Sequence, residues 1–255
     1  MCAVSALREE EVSEDFLLGG AVVLRQPVEG YRTAIDPVFL AAAVSARAGD
    51  SVLDSGAGVG AVSMCLARRV GGVTVTGLEY REELAVLAGE NAICNGLQDR
   101  VRVVTGNILD PPRELEPGSF HCVAVNPPFL EAHNVNLPPH IAKRQANVEG
   151  PARLSDWVSF ALRMVAKDGS ITFIHHAEHL GRLLSALEGR AGEVVVFPLW
   201  PRVGKAAKRV LVSARKGSSG PLRMSPGLVL HTDEANGTYT SEAEAVLRGC
   251  QGLEL

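Results

Sequence analysis

Asn126-Pro127-Pro128-Phe129 concentrates more chemistry in four residues than any other part of the chain. Two successive prolines fix φ and remove two backbone donors, which leaves a rigid turn whose carbonyls point outward. The asparagine ahead of them adds a side-chain acceptor, and the aromatic behind them adds a flat apolar surface. A strand-ending turn would explain Pro-Pro alone but not its two flanking residues. A second cluster is Asp54-Ser55-Gly56-Ala57-Gly58-Val59-Gly60. Glycines at alternate positions let a backbone turn tightly and approach a ligand without Cβ clashes. A Walker-type phosphate loop is excluded because no Gly-Lys-Ser/Thr follows, and the dinucleotide pattern G-x-G-x-x-G has a different spacing. Glu79, one strand later, stands where a carboxylate would accept both hydroxyls of a ribose. Asp54 is a poor neighbour for a pyrophosphate and suits a ligand that carries a sulfonium and an ammonium.

These residues need elements to hold them. Residues 1–16 read as a charged, frayed lead-in. Leu17 to Gly30 reads as a small β-hairpin around Gly19-Gly20. Asp36 at the N-cap and Pro37 at the first helical position open a helix. Strands are then expected at 51–54, 73–79, 101–105, 122–126, 170–175, 194–199 and 210–214. Helices are expected at 59–70, 81–94, 155–166 and 178–187, and residues 130–150 read as a polar loop. Alternation of strands and helices predicts an α/β fold with a doubly wound, seven-stranded and mostly parallel sheet. The last two strands are joined by about ten residues, too few for a right-handed crossover, and are expected to form an antiparallel hairpin at the sheet edge. The chain divides into an N-terminal extension, 1–49, and a main domain, 50–255.

The pattern Asp54-x-Gly56-x-Gly58-x-Gly60 followed by Glu79 resembles the S-adenosylmethionine site of class I, Rossmann-like methyltransferases. Asn126 to Phe129 resembles the (Asp/Asn/Ser)-Pro-Pro-(Tyr/Phe) motif of those that act on amino groups. Further segments are similar to one family, the bacterial tRNA (adenine-N6)-methyltransferases acting at adenosine 37 of a valine tRNA. These are Gln26-Pro27…Gly30-Tyr31-Arg32-Thr33…Asp36, the basic run Arg202…Lys205…Lys208-Arg209, and Leu228-Val229-Leu230-His231…Tyr239-Thr240. The resemblance runs from about Leu17 to Gly249. It implies S-adenosylmethionine contacts at Tyr31, Thr33, Asp54, Gly56, Gly58, Gly60, Glu79, Tyr80, Asn107, Ile108 and Asn126. It implies catalysis at Asn126, Pro127, Pro128 and Phe129. The Asn126 side-chain oxygen and the Pro127 carbonyl would each accept one N–H of a planar exocyclic amine, turning the nitrogen lone pair toward the methyl group. Positioning then does most of the work, and no strong base is needed. Phe129 would stack on a flipped base, a contact worth roughly 1–3 kcal/mol. Asn107 stands where Asp is common in the family, and Phe129 where Tyr is common.

Composition narrows the partners. The 255 residues are 46% hydrophobic and 21% charged, enough to build a core. The net charge of −4 gives no bulk attraction to nucleic acid, so an RNA partner requires a local basic surface. Arg202, Lys205, Lys208 and Arg209 supply one, with Lys143-Arg144 in the loop after Phe129 as a second. The tRNA partner follows from the resemblance. Five scattered cysteines without a CxxC pair argue for reduced thiols, against disulfides and against zinc. His175, His176, His179 and His231 read as structural or substrate-side groups, so no metal is expected. No stretch has the length and apolarity of a membrane span, and the acidic N-terminus lacks a signal-peptide core, which points to the cytoplasm. Two rival readings remain: methylation of a protein glutamine amide, or an RNA-binding module that has lost catalysis.

Overall fold

The computed structural model describes residues 11–29, 32–128, 152–233 and 237–255. Its first element is an antiparallel hairpin, β1 (Val12–Leu17) and β2 (Val22–Pro27), with Leu17 opposite Val22. The hairpin therefore begins earlier than the apolar pattern suggested, and residues 12–16 are strand rather than lead-in. The first arm escapes notice because it is polar and exposes Phe16 (66% accessible), while the second arm supplies the buried Val22 and Leu24.

Helix α1 (Asp36–Ala43) opens as expected with Pro37 in its first turn, but Asp36 does not cap it. Asp36 lies inside the first turn and its carboxylate accepts from Arg209 Nε at 2.7 Å. The demand of a nearly buried carboxylate for a cation outweighs the weaker local cap. The other end of α1 is closed by Arg69, whose guanidinium donates to the carbonyls of Ala41 and Val44.

The main sheet contains β3 (Ser51–Ser55), β4 (Thr74–Glu79), β5 (Val101–Thr105), β6 (Phe120–Val125), β7 (Val165–His176), β8 (Ala191–Trp200) and β9 (Arg209–Lys216). Two-residue strands β10 (Arg223–Met224) and β11 (Leu228–Val229) add to β8. The order is β10-β8-β9-β7-β6-β3-β4-β5, with β3 to β7 mutually parallel and β9 antiparallel to both neighbours. The β8–β9 pair is thus antiparallel as expected, but β10 and β11 lie outside it and form the actual edge. Neither has the length or apolar pattern that marks a strand in sequence.

Helices α2 (Ala61–Arg69), α3 (Glu82–Cys94), α4 (Leu154–Met164), α5 (Leu180–Leu187) and α6 (Ser241–Leu247) complete the described elements. Strand side chains alternate between two cores. Val52, Cys122, Ala124 and Ile174 face one core with α1, α2 and α6. Leu53, Val123, Val125 and Phe173 face the other with α4 and α5. Helix α6 has no counterpart in the sequence reading; Thr240 caps it by accepting from Ala243 N.

Two asparagines, Asn91 of α3 and Asn95 at its C-terminal cap, seat the N-terminal hairpin on this frame. Asn91 Oδ1 accepts from Arg25 N, while its amide donates to the carbonyls of Arg25 and Val59. Asn95 makes the same reciprocal pair with the backbone of Val23. Leu24 is thereby pressed against Val59, Ala61 and Leu87, and the hairpin sits over the turn that follows β3.

Candidate active site at the carboxyl edge of the sheet

In a doubly wound sheet, ligands bind beyond the carboxyl ends of the strands, where the strand order reverses. Here the reversal falls between β3 and β6. Ser55 is directly opposite Val125, so Gly56 and Asn126 leave the sheet side by side. A separate cavity of about 500 Å³, near Thr74, Val101 and Phe120, opens at the amino ends of the strands, away from this edge.

The turn after β3 is shaped by three glycines, Gly56, Gly58 and Gly60, at φ of 73°, 56° and 84°. These values lie in the left-handed region, where a Cβ is penalised. Gly56 is needed twice over, because a Cβ there would stand 2.7 Å from the indole of Trp157. A Cβ on Gly58 would meet nothing within 4 Å, so this stretch of backbone borders open space.

Two buried carboxylates hold the turn. Asp54 is 1% accessible, and its Oδ2 accepts from Ser63 N at 3.1 Å and Ser63 Oγ at 2.7 Å. It thus engages an unpaired amide in the first turn of α2, where a carboxylate is also favoured by the helix dipole. Burial outweighs these bonds and pushes the Asp54 carboxyl up to about 6. Glu79, at the end of β4, accepts from Gly58 N at 2.8 Å through Oε2 and from Arg81 N at 2.9 Å through Oε1. Burial raises its carboxyl above the usual range, against the pull of those amides and of the Arg81 charge. Both oxygens of Glu79 are thus engaged by backbone amides, and the Tyr80 amide adds a further bond that favours the charged form.

Tyr80 beside it is 60% accessible and presents an open ring. Asn107 Oδ1 accepts from Leu109 N at 2.9 Å, so one of its lone pairs closes its own turn. Ile108 packs at the margin of the α4–α5 core. Thr33 N donates to Oε1 of the buried Gln26, which ties the segment after the hairpin back to β2. Tyr31, Phe129, Lys143 and Arg144 lie outside the described residues.

Pro127 is buried and Pro128 exposed. The side-chain oxygen of Asn126 is buried and has no hydrogen-bond partner. The same holds for Ser55 Oγ and Trp157 Nε1. Orphaned buried polar atoms cost about 1–3 kcal/mol each; Ser55 and Asn126 both belong to the junction of the two turns, and the carbon edge of the Trp157 ring packs on Gly56. Ser55 and Trp157 were not singled out in the sequence. A tryptophan in a capped helix start reads as core, and only the contact of its ring with Gly56 places it at this edge.

Next along the edge, β7 ends in His175 and His176, with His179 folded against His175 at a ring separation of 5.1 Å. Burial, with His179, His176 and Arg209 as further influences, drives His175 down to about 3. It is therefore a neutral ring in the fold. Among the described residues no group of three His, Cys, Asp or Glu could hold a metal ion. Arg209, expected on an RNA-facing arm, is committed to Asp36, whereas Lys205 and Lys208 are exposed.

Comparison with known proteins agrees with this geometry. The methyltransferase small domain family matches residues 34–146, a span that contains the glycine turn, Glu79 and Asn126. The chain is a methyltransferase. The resemblance read from its motifs extends over most of its length. The methyltransferase is 28% identical over 225 residues to a tRNA1(Val) (adenine(37)-N6)-methyltransferase of Porphyromonas gingivalis, covering 83% of this chain and 85% of that one. It is 26% identical over 127 residues to an rRNA N(6)-adenosine-methyltransferase of Caenorhabditis elegans, covering 50% of this chain and only 52% of the worm protein. A crystal structure described as a predicted O-methyltransferase from Agrobacterium tumefaciens shares the fold, with a TM-score of 0.71, 23% identity and coverage of 86% and 98%. No helix among the described residues is long and apolar enough to cross a membrane.

The Asp54 carboxyl yields a test of this electrostatic arrangement. Its folded value, about 6, lies above the ordinary 3.8. Between these values the folded chain holds more protons than the unfolded one, so this group costs stability as pH rises through that window. Asp54→Asn keeps an acceptor for Ser63 and removes the titration. Urea unfolding should show the variant gaining on the wild type from pH 4 to pH 7 by up to about 3 kcal/mol. His175 titrates in both proteins and cancels from the difference. A gap that does not change with pH would mean that Asp54 is ionised at no net cost.

Proposed function

We propose that the chain transfers a methyl group from S-adenosylmethionine to the exocyclic N6 of an adenine in tRNA, at adenosine 37 of a valine tRNA, in the cytoplasm. The observation that carries this reading is the buried, unpartnered side-chain oxygen of Asn126, at the end of β6 and beside the glycine turn. An acceptor left open there is matched by a substrate that brings an N–H. The Pro127 carbonyl is a second acceptor on the same rigid turn, and an exocyclic amine has two N–H bonds to give.

The cofactor site fits as well. Open space at Gly58 admits a ligand against the backbone, Glu79 presents a backbone-anchored carboxylate for the ribose hydroxyls, and Tyr80 offers a face for a purine. When bound, S-adenosylmethionine supplies an electrophilic methyl on a sulfonium. The chain's own part is to orient the amine, keep water out and hold both partners in line. In this reading residues 1–49 form an extension that seats the hairpin over the glycine turn, and residues 50–255 form the catalytic unit. The curated tRNA relative is matched over 85% of its length, which favours tRNA over a protein amide.

Two measurements check the proposal. Glu79→Ala should raise the Kd for S-adenosylmethionine about ten- to a hundredfold in calorimetry, since a charged acceptor is worth roughly 1.5–3 kcal/mol. An unchanged Kd in a folded variant would remove Glu79 from the site. Nucleoside mass spectrometry of tRNA from a strain lacking the gene should show loss of N6-methyladenosine, restored by the wild-type chain. Unaltered tRNA, together with an unmethylated glutamine in a release factor, would establish the amide reading instead.

A further inference from the structure

The Leu228-Val229-Leu230-His231…Tyr239-Thr240 segment is conspicuous in sequence, and neither the glycine turn nor the Asn-Pro-Pro turn uses it. In the fold it closes a second cavity. Strand β11 pairs with the end of β8, Leu228 opposite Leu199 and Val229 opposite Trp200. The chain continues along the β8–β9 connection, where Leu230 N donates to Trp200 O and His231 N to Pro201 O. The Trp200 indole donates to Pro226 O and pins the return. Between this segment and the connection lies a cavity of about 430 Å³, walled by Arg202, Lys205, Lys208 and His231 over a floor of Pro201 and two alanines. That is the size of a small-ligand site.

Its position and charge are both informative. Leu199 lies opposite Arg209, and Arg209 opposite His176, so the cavity opens on the same edge of the sheet as Asn126. From β6 to β8 is three strand spacings, about 14 Å. A polynucleotide with its target base at Asn126 would bring a flanking nucleotide here. Among the described residues no carboxylate is paired with Arg202, Lys205 or Lys208. The walls therefore call for an anion.

His231 adds a second requirement. Its Nδ1 lies 2.7 Å from Gly237 O, and a carbonyl only accepts, so Nδ1 carries the proton. The ring is also held by stacking on Tyr239 at 4.6 Å and 23°. In the neutral ring Nε2 is then an acceptor. An acceptor set among cations matches a ligand that places a hydroxyl donor beside an anion. The 2′-hydroxyl next to the 3′-phosphate of a ribonucleotide is such a pair, and a deoxynucleotide lacks it.

We infer that this cavity binds a ribonucleotide flanking the target, with its phosphate on Arg202, Lys205 and Lys208 and its 2′-hydroxyl donating to His231 Nε2. The inference rests on the RNA reading above and goes beyond it by assigning how the enzyme tells RNA from DNA. The test uses an anticodon stem-loop oligoribonucleotide and its counterpart with 2′-deoxy residues in the loop, with binding followed by fluorescence anisotropy. Wild type should prefer the ribo form roughly three- to tenfold, the worth of one hydrogen bond. His231→Phe keeps the stack on Tyr239 but has no acceptor, so the preference should fall toward one while S-adenosylmethionine affinity stays unchanged. The exposed double variant Lys205→Ala/Lys208→Ala should weaken both forms and flatten the salt dependence by about two units, and it covers the case where the phenylalanine variant fails to fold. A folded His231→Phe with the wild-type preference, an unaltered salt slope, or equal binding of both forms by wild type would overturn the pocket assignment. Wild type that binds neither form, yet binds S-adenosylmethionine, would overturn the RNA reading itself.

Discussion

The parallel pairing of β3 with β6 is the constraint on which the site depends. Ser55 opposite Val125 delivers the glycine turn and the Asn-Pro-Pro turn to the same point of the sheet edge. Neither turn could be shifted by one residue, because the period of two would exchange the two cores and push Leu53 and Val123 to the wrong face. Both strands are held by buried side chains on each side, so the pairing is rigid where the site needs rigidity. Two buried polar atoms without partners, Ser55 Oγ and Asn126 Oδ1, sit at that junction, a combined cost of a few kcal/mol carried by the surrounding cores. Such concentrated dissatisfaction is typical of a place that awaits a ligand.

The carboxylates follow the same logic. Asp54 and Glu79 are both buried and both raised above their ordinary range, yet each is anchored by backbone amides, Ser63 for one and Gly58 and Arg81 for the other. Asp54 ties β3 to the start of α2, and Glu79 ties the glycine turn to the end of β4. The turn's conformation and its negative charge are thus properties of one network. A cationic ligand would relieve the cost of ionising both groups, which couples cofactor binding to the ordering of the turn. Arg209 and Asp36 perform a comparable structural task farther along the edge, joining α1 to β9 beside the histidines.

Much of this was legible in the sequence because it depends on local patterns. Alternation of apolar strands and amphipathic helices specified the doubly wound sheet, the short link before Arg209 specified the antiparallel pair, and glycine spacing specified the turn. The comparisons agree on methyltransferase chemistry. What remained hidden depends on long-range contacts. β1 is polar, and its partner β2 is seated by Asn91 and Asn95, some 70 residues away. The pairing of Asp36 with Arg209 spans 173 residues and overrides a local cap that the sequence pattern favours. Trp157 becomes a site residue only through contact with Gly56, and β10 and β11 are too short to carry any pattern of their own.

The central claim is that the orphaned oxygen of Asn126 exists to accept a substrate N–H, and Asn126→Ala tests it most directly. Single-turnover methylation of tRNA should be measured beside calorimetric binding of S-adenosylmethionine. The account predicts a rate below one tenth of wild type, a loss above about 1.4 kcal/mol, with cofactor affinity unchanged. A folded variant that keeps more than that rate would contradict it, and Asn126 would then be no more than the residue that opens a turn.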